Sequence, residues 1–127
     1  MQEQHLYEYA IIRVVPRVER EEFINAGVVL CHWKRDFLGC KIHLDHKKLL
    51  AIDPLADVEM IQLNLASFEK ICAGKANGGT IASMDLASRF RWLTAVRSSI
   101  IQTSRPHSGY ASNLEQTLER LFEENVG

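Results

Sequence analysis

The sequence predicts an α+β domain in which a mainly antiparallel sheet of about four strands is covered by helices. Three observations carry this. Apolar residues alternate with period two up to Leu44. The apolar spacing then lengthens to three and four. A late strand pattern, "RSSIIQTS", precedes a last amphipathic helix. A chain of 127 residues, 46% hydrophobic and 24% charged, has the length and composition of one globular domain, taken as residues 1–127.

The first strand is expected over "LYEYAIIRVVP", Leu6 to Pro16. Ala10, Ile12 and Val14 fall on one face, and Tyr9, Ile11, Arg13 and Val15 on the other. Both faces are mostly apolar, which predicts a central strand covered on both sides. Pro16 cannot donate to a ladder and marks the end of pairing. "RVEREEF" reads as a turn or a single helical turn. "INAGVVLCHW" is a second strand. With "KRDF" as a hairpin loop, Cys31 would face Cys40, Val29 would face Ile42 and Trp33 would face Leu38, all on one apolar face.

Asp45 is placed to cap a short helix through "HKKLLAI". Asp53-Pro54 reads as the N-cap and first residue of a longer helix, whose stripe is Val58, Ile61, Leu65, Phe68 and Cys72, with Gly74 as its stop. "GKANGG" is a loop. A further helix from Ser83 would turn Leu86, Phe90 and Leu93 inward. The late strand closes at the turn signal "RPHSG". Ser112 and Glu115 have capping-box spacing ahead of Leu114, Leu118, Leu121 and Phe122.

Fifteen basic residues against sixteen acidic give a net charge of -1, which argues against a general electrostatic grip on nucleic acid or an anionic membrane. No apolar run reaches membrane-spanning length, and "MQEQHLYEYA" lacks the pattern of a signal peptide, so a cytoplasmic protein is expected. Three cysteines in such a compartment read as thiols.

The densest chemistry lies in "RVVPRVEREEF". Arg13, Arg17 and Arg20 offer planar donor forks suited to carboxylate or phosphate. Glu19, Glu21 and Glu22 offer the competing reading of solvated ion pairs. Arg13, set between Ile11 and Val15, needs a partner if buried. Asn25 and Gly27 could form a backbone anion nest or simply shape the entry to the second strand. Should the late strand lie beside the first, Arg97, Gln102, Arg105 or His107 would join the group. Cys31, His32, Cys40, His43 and His46 invite a zinc reading, but alternation turns neighbours to opposite faces and no CxxC pair exists. No metal or cofactor is therefore expected. Nucleophile-elbow and phosphate-loop patterns are missing, and His107 among Ser98, Ser99, Ser104 and Ser108 is a constellation common to many chains.

"YEYAIIRVVPRVEREEFINAGVVL", "RSSIIQTSRPHSG" and the terminal "LEQTLERLFEE" together resemble a bacterial domain-of-unknown-function family, number three thousand and thirty-seven in its series. The resemblance spans nearly the whole chain. It directs attention to Arg13, Pro16, Arg17, Arg20, Glu22, Asn25 and Gly27 in the first motif, and to Arg97, Ser98, Gln102, His107 and Gly109 in the second. It implies a neighbouring or partnering HipA-like kinase and no assigned activity. The hairpin "CHWKRD" departs from the family pattern, which tends toward Phe or Tyr and more arginine.

Residues and resemblance together favour a non-catalytic binding or accessory module. Its expected site is Arg13, Arg17, Arg20, Asn25, Arg97, Gln102 and His107, receiving an anionic group from a small ligand or a HipA-like kinase. The alternative is a small enzyme acting on a phosphorylated or carboxylated substrate, with His107 as general acid or base.

Overall fold

The computed structural model of the chain describes residues 3–32, 34, 37–75, 78–97 and 99–126. Its centre is the ten-residue strand β1 (His5–Val14). The alternation read from sequence holds. Ala10, Ile12 and Val14 are fully buried on one face, and Tyr7 and Ile11 are buried on the other. β2 (Ile24–His32) pairs antiparallel with one edge of β1, and β3 (Phe37–Ile42) continues the sheet from β2. β4 (Ile101–Thr103) and β5 (His107–Ala111) share the other edge. β4 pairs Ile12 to Val14, and β5 pairs His5 to Tyr9.

Among the described residues the sheet thus has five strands, one more than the sequence pattern shows. The segment read as a closing turn after the late strand is itself a strand, interrupted by Ser104-Arg105-Pro106. Proline cannot supply a ladder N–H, so pairing breaks there. Ser104 bridges the break. Its main-chain N–H donates to the Ile11 carbonyl at 2.9 Å, and its hydroxyl accepts from the Ile11 N–H at 2.9 Å. The break advances the register by one residue and lets the other half of β1 find a partner.

The β2–β3 hairpin also differs from expectation. Val29 opposes Cys40, Cys31 opposes Leu38 and Gly27 opposes Ile42. The expected face survives, because a shift of two residues preserves side-chain parity. The pairing starts at His32 and Phe37, so Phe37 belongs to the strand and not to the loop. The expected Trp33–Leu38 pair involves a residue outside those described.

Four α-helices are found among the described residues. α1 (His46–Ile52) is capped by Asp45, whose carboxylate accepts from the Lys48 N–H at 3.1 Å, as its position predicts. α2 (Val58–Ala73) starts at Asp57, not at Asp53-Pro54. Asp57 accepts from Met60 N–H at 3.0 Å, whereas Asp53 ends α1 and accepts from Leu55 N–H within the connecting turn. Gly74 closes α2 at φ 71°, a left-handed conformation that costs glycine little. α3 (Leu86–Thr94) is capped by Asp85 after a 3-10 turn at Ile81–Ser83 that takes up the expected first residues. α4 (Leu114–Asn125) is capped by Asn113, which displaces the expected Ser112 by accepting from Gln116 N–H at 3.0 Å. Each displaced cap obeys one rule: the side-chain oxygen that reaches the free N–H three residues on wins.

Two cores form on the two faces of β1. Ala10, Ile12, Val14, Val29 and Cys31 pack with Leu49, Ile61, Leu65, Phe68, Phe90 and Leu93 from α1, α2 and α3. Tyr7, Ile11, Val28 and Leu30 pack with Leu114, Leu121 and Phe122 from α4. Lys41 of β3 pairs with Glu119 and lies 4.6 Å from the Phe122 ring centroid, fastening α4 across the sheet.

Candidate functional site

The register of the sheet settles which predicted site residues meet. Arg13 is the cross-strand partner of both Asn25 on β2 and Gln102 on β4. Directly paired residues share a face, so three polar side chains from distant parts of the sequence stand in one row, on the α4 side of the sheet. A bulge between Ile12 and Arg13 makes this possible. Gly27 opposes Ile12, Asn25 opposes Arg13, and Ala26 is the extra residue between them. Gly27 is needed for packing rather than for a special backbone angle. A Cβ there would stand 2.5 Å from the Lys41 carbonyl oxygen and 3.2 Å from the Ile12 side chain.

Around the row, hydrogen bonds fix some groups and leave others open. The Asn25 amide donates to the Asn125 carbonyl at 3.1 Å, tying β2 to the end of α4, and Asn125 donates to the Leu121 carbonyl at 2.8 Å. The Gln102 amide donates to the Ser99 carbonyl at 2.8 Å. The Arg13 guanidinium lies 4.3 Å from the ring centroid of Phe23, which is 45% exposed just before β2. Such a stack over an exposed ring contributes about 0.5–1 kcal/mol. Yet among the described residues Arg13 Nε and Asn25 Oδ1 are both buried without a hydrogen-bond partner, and no carboxylate pairs with Arg13. Side chains on paired positions therefore leave one donor and one acceptor unmet. Unmet buried polar atoms cost about 1–3 kcal/mol each, more when charged.

The other four predicted residues go elsewhere. Arg17 lies 3.8 Å from the buried Asp53 carboxylate and fastens the end of β1 to the turn between α1 and α2. Arg20 pairs with Glu22 at 2.9 Å on the surface. Arg97 bonds the carbonyls of Trp92 and Ala95 at the end of α3. His107 is exposed opposite Tyr9, its ring 5.5 Å from the tyrosine ring, and makes no side-chain hydrogen bond to another described residue. Two participants were missed in the sequence. Phe23 sits two residues before Asn25, a spacing that places both on one face of extended chain, so its signal was present. Asn125 gave none, because its role depends on where the end of α4 lands.

Two of the thiols, Cys31 and Cys40, are held protonated. Burial pushes Cys31 up to about 12, helped by the Glu8 carboxylate and opposed by Arg89. Cys40 is pushed up by the hydrogen bond it shares with Cys72 of α2, then by burial. Among the described residues no group of three or more His, Cys, Asp or Glu side chains is arranged to hold a metal, and no helix is long and apolar enough to cross a membrane.

Residues 9–126 match the model of a family described as a protein of unknown function, DUF3037. No curated protein and no solved structure matches the chain.

Proposed function

Since the chain belongs to the DUF3037 family, whose description carries no activity, we propose from its geometry that it is a non-catalytic binding module, and that the Arg13–Asn25–Gln102 row receives an anionic group from a partner. One observation carries this reading: Arg13 Nε and Asn25 Oδ1, on paired positions, are buried and without a hydrogen-bond partner among the described residues. Arg13 calls for an acceptor and Asn25 for a donor. An acidic peptide segment supplies both, a carboxylate for the guanidinium and a main-chain N–H for the amide oxygen. Phe23 stacks on the guanidinium from one side. The partner class implied by the sequence resemblance is a HipA-like kinase.

A glutamate-rich peptide titrated into the purified chain tests the site. The expected outcome is thermal stabilisation, about 2.7 kcal/mol at a hundredfold excess over Kd, that disappears in Arg13→Ala. Equal stabilisation of parent and variant would remove the site. The kinase partner is tested separately by co-elution at micromolar concentration. Separate elution of the two proteins would refute the partner while leaving the anion site standing.

A further inference from the structure

The face of the sheet turned away from α4 carries a second opening. Between α2, α3 and the segment leading into β4 lies a cavity of about 380 Å3, within the range of small-molecule sites. Phe68, Ile71 and Leu93, all members of the larger core, floor it. Asn64, Trp92 and Arg97 stand at its rim, and no acidic side chain among the described residues lines it.

Arg97 is the informative residue. Its guanidinium lies 4.2 Å from the Trp92 ring centroid, and among the described residues its hydrogen bonds run to the main-chain carbonyls of Trp92 and Ala95. Those bonds use two of its five N–H donors. The helix end offers it a partial negative charge, but no carboxylate among the described residues pairs with it. A half-buried cation with spare donors at the mouth of an apolar cavity matches a ligand with one negative head and an apolar body.

We propose that this cavity binds a small amphipathic carboxylate, the carboxylate on Arg97 and the hydrocarbon on Phe68, Ile71 and Leu93. A single arginine balances a monoanion, whereas a phosphate dianion would enter with half its charge unmatched. The site is independent of the Arg13 row, which lies on the other face of the sheet.

Decanoate, with decanol as the uncharged control, titrated into the full chain and followed by amide shifts in 1H–15N NMR, tests this. Decanoate is expected to bind with Kd below about 1 mM and to shift Phe68, Ile71, Leu93 and Arg97 while Ile11 and Asn25 stay still. Decanol should bind about tenfold more weakly. Arg97→Gln should weaken decanoate about tenfold and leave decanol unchanged. Because Arg97 also caps α3, Ser67→Phe, an exposed α2 position lining the same cavity, serves as the second variant. It should fill the mouth and abolish binding with Tm unchanged, and it decides alone if Arg97→Gln is unstable. Shifts mapping outside the cavity, or undiminished binding by folded variants, overturn the proposal.

Discussion

Arg13 and Arg97 resemble each other until their hydrogen bonds are counted. Both are half-buried, and both lie over an aromatic ring, Phe23 at 4.3 Å and Trp92 at 4.2 Å. Arg97 spends its Nε–H on a carbonyl of its own chain and so finishes a helix. Arg13 leaves its Nε–H buried and unmet. Stacking on a ring therefore does not show whether the fold meets an arginine's Nε–H. What distinguishes the two arginines is whether the fold itself provides the acceptor.

The comparison breaks most violently if the framework that presents Arg13 is removed. Gly27→Ala drives a Cβ against the Lys41 carbonyl at the bulge and should cost about 1–3 kcal/mol, read as a lowered midpoint in urea denaturation. Ser104→Ala leaves the buried Ile11 N–H without its acceptor and should cost a comparable 1–3 kcal/mol. Hydrogen exchange at Ile11 would rise with it, since the Ser104 hydroxyl is the acceptor its N–H uses across the proline break.

The sharper test uses one substitution twice. Arg97→Met removes the bonds that end α3 and should destabilise the free protein by about 1 kcal/mol. Arg13→Met removes a half-buried charge that no carboxylate among the described residues balances, so the free protein should be unchanged or slightly more stable. Equal losses in paired denaturation curves would erase the distinction between the two arginines.

The smallest effect concerns the other end of α3. The Ser88 N–H bonded to the Asp85 carboxylate, then the Ser88 hydroxyl, holds its pKa below the ordinary value. A depressed folded pKa contributes stability above the unfolded value, about 3.9, and that contribution is lost as pH falls through the folded one. Asp85→Asn keeps a capping oxygen but no titration, so its stability should fall less steeply than the parent's in acid. Thermal midpoints measured from pH 5 down to pH 2 check this. An equally steep fall would assign the acid sensitivity to other carboxylates. Asp45, whose carboxylate is lowered by the Lys48 N–H at the start of α1, is the first of these.

Much of this was legible beforehand where the signal is short-range. Asp45, Gly74 and the stripe of Ile61, Leu65, Phe68 and Cys72 needed only neighbouring residues, and they stand as read. The hairpin register did not. Shifted by two residues, the pairing keeps every side chain on its expected face, so polarity alone cannot distinguish the two alignments. The fifth strand was hidden because "RPHSG" carries strong turn chemistry, and only the unpaired half of β1 draws His107–Ala111 into the sheet. The candidate site was half legible for the same reason. Arg13 stood out as a charge among apolar neighbours, whereas the fates of Arg17 and Arg97 depended on Asp53 and on the end of α3.

By itself, then, the sequence determined the α+β class, the two-faced central strand, the helix stripes and the list of polar residues worth following. Those are properties of side-chain period and chemistry along a few neighbouring positions. The tertiary structure alone decided which arginine Nε–H groups the fold satisfies, and that the two proposed sites lie on opposite faces of one sheet. A hydrogen bond forms only between groups brought within about 3 Å, and the row that joins residues 13, 25 and 102 is set by pairing across long stretches of chain, which no local pattern encodes.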